Sequence, residues 1–283
     1  MAAVSAPFFP IIYVRGYAMT PAEIAEAVSS PYMGFNTGAT KLRQAWDGQV
    51  RRHVFESPLV RLMKDCGYRD VYADGSEIVG TVPARSVVIY RYYDSADRDL
   101  GDGKALSIVA AAQGLRELIV HLRSQVCGAD AQALAQFKVH LVAHSMGGLV
   151  CRCFLQNDTV STPGDRALVD KVFTYATPHN GIEMAALNVP AALGLWDINN
   201  FNRKVMTEYL GLPTGSERVD SLDGKFDPQR FFCFVGTNYR DYAAAFGLSR
   251  ALAGEMSDGL VQIENAAVQG APRAFAYRSH SGP

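Results

Sequence analysis

Ser145 lies at an abrupt change in the segment LVAHSMGGLV, where an apolar run ends and two glycines follow. Residues 143–147 read Ala-His-Ser-Met-Gly, which is the small-x-Ser-x-Gly pattern of a sharp turn between a buried strand and a buried helix. Such a turn exposes the serine hydroxyl at the edge of a sheet, where it becomes a nucleophile if a base accepts its proton. A serine that only caps a helix is the alternative, but a cap does not explain the adjoining histidine and glycines.

A histidine base is needed to activate this serine, and the sequence contains six histidines. In a turn of this kind the acid and then the base follow the serine along the chain. His280 directly follows the last predicted strand and leaves room for an acid before it, so we expect His280 to be the base. His179 also lies downstream, and it either lines the site or is a buried structural histidine.

The acid is expected in the loop after the apolar segment FFCFV, where Asp241 and Asp258 both qualify by position. Asp258 lies in SDGLVQIENA, in which serine, aspartate and glycine favour a turn. An ordinary Asp-Gly turn without a catalytic role is the alternative interpretation. We take Asp258 as the first candidate and Asp241 as the second.

Backbone N–H groups must also stabilise the negative charge that develops on the substrate oxygen. The N–H of Met146, directly after the serine, is one candidate donor. The other is the N–H of Tyr17, because Gly16 allows the chain to turn close to the site after the predicted strand PIIYV.

The elements that would position these residues alternate between strands and helices. Apolar residues at helical spacing after Leu115 and after Met146 predict helices that pack on a sheet. Most of the apolar runs are continuous, as in strands covered on both faces, and they lie at residues 10–14, 86–92, 138–143, 171–175, 231–235 and 273–277. We therefore predict an α/β fold with a mostly parallel central sheet flanked by helices, in which ligands bind at the carboxyl ends of the strands.

Two stretches interrupt this alternation within what we expect to be a single domain over residues 1–283. Residues from about 20 to 83 are predicted to form an irregular insertion with short helices. Residues from about 181 to 230 are predicted to form a cap or lid between late strands. This cap contains Trp196 in an apolar segment that either covers a hydrophobic substrate or packs in the core. Candidates for lining the substrate site are His144, His179 and Trp196.

The overall composition describes a globular chain, with 48% hydrophobic and 19% charged residues. The formal net charge of −1 gives no electrostatic reason to expect a nucleic-acid partner or adsorption to an anionic membrane. Five cysteines without paired spacing suit neither a disulfide framework nor a metal site, and reduced thiols are the simplest interpretation. The sequence contains neither a signal peptide nor an apolar run long enough to span a bilayer, so we expect a cytoplasmic protein without stable membrane insertion.

Taken together, PIIYVRGYAM, HLVAHSMGGLV, TYATPHNG, SDGLV and AYRSHSG resemble the α/β-hydrolase superfamily, and within it the bacterial lipases and lipase-like esterases. The resemblance implies an α/β-hydrolase fold. It also implies that Ser145 is the nucleophile, Asp258 the acid and His280 the base, because Asp258 opens an Asp-Gly-Leu-Val turn that such lipases use for the acid. The two oxyanion donors carry over to Tyr17 and Met146.

Three features depart from this family pattern. Arg15 precedes Gly16 where the family usually has histidine, and Ala143 replaces the first glycine of the turn. The sequence also ends shortly after His280, where such folds normally continue into a terminal helix. We therefore interpret the sequence as part of a longer polypeptide.

The resemblance implies hydrolysis of a small-molecule or lipid ester without any cofactor. Transfer of the acyl group to an alcohol and cleavage of a phospholipid acyl ester fit the same residues. A catalytically silent hydrolase fold that serves as a binding module is an alternative from a different class. A group of aspartates either binds calcium or forms a solvated acidic loop, and we favour the loop because the spacing of Asp94, Asp97, Asp99 and Asp102 fits no EF-hand.

Overall fold

A six-stranded sheet forms the centre of the part of the chain that the structure describes. In this computed structural model the described residues are 4–16, 18, 21–36, 40–54, 57–71, 80–182, 198–236 and 261–272. The strands are β1 (Ile11–Val14), β2 (Thr40–Gln44), β3 (Val50–Val54), β4 (Arg69–Asp70), β5 (Ser86–Tyr90), β6 (Val139–His144), β7 (Val169–Tyr175) and β8 (Phe231–Phe234). The central sheet has the order β4-β5-β1-β6-β7-β8, and all its pairings are parallel.

Helices flank this sheet and fill most of the connections between its strands. They are α1 (Pro21–Ser29), α2 (Pro58–Cys66), α3 (Ile108–Cys127), α4 (Ala131–Gln136), α5 (Met146–Gln156), α6 (Pro163–Arg166) and α7 (Arg203–Leu210). Short 3-10 segments lie at Asp94–Ala96, Ile198–Phe201, Pro228–Arg230 and Ile263–Asn265. The predicted fold class, an α/β fold with a mostly parallel central sheet flanked by helices, is confirmed.

The helix α3 shows how the sequence pattern produces this packing. The Ser107 hydroxyl accepts a hydrogen bond from the N–H of Ala110 and so caps the first turn. A buried stripe then follows at helical spacing, formed by Leu115, Ile119, Leu122 and Val126. This stripe is the one predicted from the sequence, and α3 packs against α5.

The middle strands of the sheet are buried most deeply. All four residues of β1 are buried between β5 and β6, as expected for a strand covered on both faces. On β6, Leu141 and Ala143 are fully buried, whereas Val142 is half-buried and His144 is exposed. The carboxyl end of β6 therefore reaches the surface at His144, directly before Ser145.

Five of the six predicted strands correspond to β1, β5, β6, β7 and β8, and the sixth, at residues 273–277, lies outside the described residues. The predicted insertion contains the expected short helices α1 and α2, but it also contains an antiparallel hairpin of β2 and β3, which the apolar pattern of the sequence does not indicate. These two strands read TKLRQ and VRRHV, so charged residues obscure any apolar run. The Asp47-Gly48 turn between them was the available signal.

The connection between β7 and β8 is described from residue 198 onward, whereas Trp196 lies outside the described residues. Within it, α7 buries Met206 and Leu210 and packs against α5. The Tyr209 carbonyl accepts hydrogen bonds from Cys153 Sγ at 3.0 Å and from Asn157 Nδ2 at 3.1 Å. This part of the predicted cap region is therefore joined to the helix that begins at Ser145.

All five cysteines are thiols rather than disulfides, and Cys127, Cys151 and Cys153 are buried. Among the helices of the described ranges, none combines the length and the apolar character that crossing a bilayer requires.

Candidate active site

Ser145 occupies the turn between β6 and α5 in a backbone conformation that residues with a side chain rarely adopt. Its φ is 50° and its ψ is −124°. A conformation of this kind costs roughly 1–3 kcal/mol and persists only where the surroundings enforce it. Residues held in this way cluster at functional sites.

Hydrogen bonds on both sides of Ser145 enforce this conformation. The N–H of Ser145 donates to the carbonyl of Tyr175 at 2.8 Å. The carbonyl of Ser145 accepts from the N–H of Gly148 at 3.0 Å and from Thr177 Oγ1 at 2.8 Å. The carboxyl end of β7 and the residues after it therefore hold the turn from the neighbouring strand.

The side chain of Ser145 makes no capping hydrogen bond with α5. An N-capping serine has extended backbone angles and accepts a bond from the first helical turn, and Ser145 shows neither feature. The alternative interpretation of Ser145 as a helix cap is therefore excluded. What distinguishes Ser145 is its half-buried position at the surface end of a buried strand.

Glycines allow the elements around Ser145 to approach closely. A Cβ atom on Gly16 would lie 2.7 Å from the Cβ of Ser145, and one on Gly147 would lie 2.5 Å from the Arg15 carbonyl oxygen. A Cβ on Gly148 would lie 2.6 Å from the Cγ2 of Thr177. Any residue larger than glycine at these three positions would clash with its neighbours. The glycines therefore allow the loop after β1, the turn and the end of β7 to pack closely together.

One of the two candidate oxyanion donors, the N–H of Met146, lies beside this packed region. The N–H of Met146 belongs to the first residue of α5, where N–H groups have no acceptor within the helix and carry a partial positive charge. Tyr17 lies outside the described residues, but Gly16 directly before it contacts Ser145. Sequence reasoning missed Thr177, which holds the serine carbonyl; its position directly after a strand was the available signal.

His179 lies in the interior, although it follows the same strand. Its side chain is fully buried, with Nε2 3.0 Å from Thr174 Oγ1 and the ring packed edge-on against Phe231. Burial and the guanidinium of Arg152 hold the pKa of His179 well below its ordinary value of 6.5. Of the two interpretations offered for His179, the structure favours the buried structural histidine. His144, by contrast, is exposed next to Ser145.

Arg152 is a fully buried cation in α5 that sequence reasoning also missed. It donates to the His179 carbonyl at 2.7 Å, to the Val219 carbonyl at 2.6 Å and to the Ser221 carbonyl at 2.8 Å. Burial lowers the pKa of Arg152 to about 10. Because these carbonyls satisfy the guanidinium, Arg152 ties the helix behind Ser145 to the loops after β7.

The predicted acid and base lie outside the described residues, as does the second acid candidate: Asp258, His280 and Asp241. The segment after Asp258 is described from residue 261. Its Asn265 forms two hydrogen bonds with Asn180. Asn180 Nδ2 donates to Asn265 Oδ1 at 2.9 Å, and the N–H of Asn180 donates to the Asn265 carbonyl at 3.0 Å. The chain that follows the predicted acid is thus anchored to the loop after β7, beside the strand that carries Ser145.

Three of the four aspartates considered as a calcium site bind groups in or next to their own loop. Asp97 Oδ1 accepts from the N–H groups of Asp99 and Leu100, and Asp102 Oδ1 accepts from that of Lys104. Asp94 forms an ion pair with Arg91 at 2.8 Å. Across the described ranges, no three or more histidine, cysteine, aspartate or glutamate residues are grouped as a metal site would require.

Several solved structures are similar to this chain at low sequence identity. Lipase BlEst2 of Bacillus licheniformis in its mature form is 15% identical, with 95% of this chain and 83% of that one covered and a TM-score of 0.43. A metagenomic carboxyl esterase is 14% identical, with 95% of this chain and 63% of that one covered and a TM-score of 0.45. Lipase B of Aspergillus fumigatus is 15% identical, with 65% of this chain and 29% of that one covered and a TM-score of 0.31. No protein-family model and no curated protein sequence matches the chain.

Replacement of Gly147 by alanine tests the close packing of the turn. The added Cβ would meet the Arg15 carbonyl at 2.5 Å, and a backbone atom cannot rotate away. We expect Gly147→Ala to lower the free energy of unfolding by about 1–3 kcal/mol despite the better helix propensity of alanine. Urea denaturation measures this change. Gly164→Ala is the control, because its Cβ would meet only Thr162 Oγ1 at 3.6 Å. Equal stability of the two variants would contradict the packing argument.

The buried histidine predicts an acid-dependent loss of stability. Below pH 6.5 the unfolded chain protonates His179, whereas the folded chain does not because its pKa is lowered. The stability contributed by neutral His179 is therefore complete above that pH and is lost as the pH falls, by up to about 1.4 kcal/mol per pH unit. We expect His179→Gln to reduce this slope in urea denaturations between pH 7.5 and 5. A slope in His179→Gln equal to that of the wild type would refute the assignment.

Proposed function

We propose that this protein is a serine hydrolase of carboxylic esters with Ser145 as its nucleophile. The observation that carries the proposal is the conformation of Ser145: a positive φ, enforced from the neighbouring strand, with a hydroxyl that caps no helix. A purely structural serine needs none of these features. The α/β-hydrolase-like sheet supports the proposal, because its parallel strands bring this turn and the loop after β1 to the same edge.

The proposed reaction has two steps. Ser145 Oγ attacks the carbonyl carbon of the ester while His280 takes its proton, and His280 then passes this proton to the leaving alcohol. A water molecule attacks the resulting acyl-enzyme in the same way and releases the carboxylic acid. We assign the orientation of His280 to Asp258, on the strength of the family resemblance.

The developing oxyanion would be held at the start of α5. The N-terminus of a helix carries roughly half a positive charge, which stabilises a negative oxygen. The N–H of Met146 lies at this terminus, and Gly16, which directly precedes the second proposed donor Tyr17 in the sequence, packs against Ser145. Donors that are already in place when the charge develops require no rearrangement during the reaction.

An exposed aromatic pair beside the turn supports an apolar substrate. Tyr175 and Phe234 stack at 5.1 Å between ring centroids, at the carboxyl ends of β7 and β8, and their exposed fractions are 43% and 47%. The Tyr175 carbonyl also holds the N–H of Ser145, so this pair lies next to the nucleophile. We propose that the pair contacts the hydrocarbon part of the ester.

The first experiment measures hydrolysis of p-nitrophenyl esters from acetate to palmitate by the wild type and by Ser145→Ala. We expect the substitution to reduce kcat by roughly 10³-fold or more, because it removes the attacking oxygen. Labelling by an alkyl phosphonate, followed by mass spectrometry, should modify Ser145 in the wild type only. The control is the urea midpoint, which should be similar in both proteins.

The products of the reaction distinguish ester hydrolysis from the two related activities, acyl transfer and phospholipid cleavage. An added alcohol that is acylated in preference to water would indicate an acyltransferase, and release of fatty acid from a phospholipid would indicate a phospholipase. If the wild type hydrolyses no ester and the phosphonate does not label Ser145, the proposal is wrong and a binding module is the better interpretation.

Tyr175→Ala tests the proposed contact with the substrate chain. The loss of an exposed aromatic ring should lower kcat/KM for long-chain esters by several-fold more than for acetate, since only long chains bury the ring. Phe8→Ala, which removes an aromatic ring at the opposite, amino-terminal end of β1, is the control. An equal fall in kcat/KM for esters of every acyl-chain length would argue against a contact between Tyr175 and the substrate chain.

A further inference from the structure

Two adjacent tyrosines hold the loop after β1, residues 15–18, in place. The hydroxyl of Tyr92 donates to the carbonyl of Arg15 at 2.8 Å. The hydroxyl oxygen of Tyr93 accepts from the N–H of Ala18 at 3.0 Å. Both tyrosines are buried, and they follow β5, which pairs with β1 in the sheet. One tyrosine thus binds each end of the loop.

The two side chains also interact with each other, and Tyr93 adds to the effect of burial in holding the pKa of Tyr92 well above its ordinary value of 10. The proton of the Tyr92 hydroxyl is used for Arg15, because a carbonyl oxygen can only accept. Tyr92 is therefore the donor and Tyr93 the acceptor for the backbone of the loop.

This loop packs directly against the proposed nucleophile and the start of α5. The backbone of Gly16 packs against the Cβ of Ser145, and the Arg15 carbonyl packs against Gly147 in the first turn of α5. The N–H assigned to the second oxyanion donor belongs to residue 17, between the two anchored ends. A displacement of the loop would therefore move that donor relative to Ser145.

We propose that Tyr92 and Tyr93 are positioning residues that fix the oxyanion-binding loop relative to Ser145. The proposal rests on the proposed function, because only a reacting ester needs a donor at this position. Neither tyrosine touches the substrate; both act through the backbone of residues 15–18. Preorganised donors contribute to kcat rather than to substrate binding, since the charge they stabilise exists only in the transition state.

Phenylalanine variants test this role because they remove only the hydroxyls and keep the rings. Tyr92→Phe removes the donor to the Arg15 carbonyl, and Tyr93→Phe removes the acceptor for the Ala18 N–H. Tyr90→Phe is the matched control. The Tyr90 hydroxyl donates to the Ala111 carbonyl at 2.7 Å, away from the loop, while its ring packs on that of Tyr92 at 5.4 Å.

The experiment measures kcat and KM for p-nitrophenyl butyrate, with active sites counted by phosphonate titration so that misfolded protein does not contribute. We expect Tyr92→Phe and Tyr93→Phe to lower kcat by about 10- to 100-fold while KM changes less than about threefold. Inhibition by an alkylboronic acid, whose adduct with the serine mimics the tetrahedral intermediate, should weaken in parallel. Tyr90→Phe should leave both values near those of the wild type.

Ester hydrolysis by the wild type distinguishes failure of the positioning role from failure of the proposed hydrolase function. If the wild type is active and the Tyr92 and Tyr93 variants match Tyr90→Phe in kcat and in boronate affinity, the positioning role is overturned and the proposed hydrolase stands. A rise in KM at unchanged kcat would overturn it as well, because the loop would then affect binding alone. If the wild type hydrolyses no ester and is not labelled, both proposals fall together.

Discussion

The unfavourable backbone conformation of Ser145 is the constraint on which the rest of the site depends. A positive φ at a residue with a side chain is not a local preference of the sequence, so other parts of the fold must supply the energy that maintains it. Here the end of β7 holds the N–H and the carbonyl of Ser145, and the loop after β1 packs against its Cβ. The geometry of Ser145 is therefore a property of three adjacent parallel strands rather than of one turn.

Buried polar groups form hydrogen bonds that connect α5, which follows Ser145, with the loops around the site. Arg152 is fully buried, yet backbone carbonyls from two loops satisfy its guanidinium, and Asn180 is satisfied by Asn265 and by the N–H of Val219. Such groups are costly if one partner moves, so they favour a single arrangement of the loops after β7. The segment from residue 261, which follows the proposed acid in the sequence, is part of the same arrangement through Asn265.

Much of this architecture could be predicted from the sequence because burial leaves a strong pattern. Continuous apolar runs identified the buried strands, and the residues around Ser145 identified the turn and its glycines. The hairpin of β2 and β3 was not predictable from apolar runs, since its strands are largely polar and charged. Tyr92 and Tyr93 escaped notice for another reason: their partners are distant in the chain, 75 residues away in the case of Ala18, and local patterns carry no information about such contacts. The roles of Asp258 and His280 remain predictions.

The position of β1 at the centre of the sheet has a consequence for how the protein folds. Ile11 pairs with Val87 on one side and with His140 on the other, so β1 lacks its second neighbour until β6 has emerged from the ribosome. Pairings so distant in the chain are slow to form, because a long loop must close before any contact compensates for its lost entropy. Until then the apolar strand β1 is prone to aggregation. The loop after β1 and the turn at Ser145 meet only through this pairing, so a nascent chain would bring them together only once the central sheet has closed around the turn.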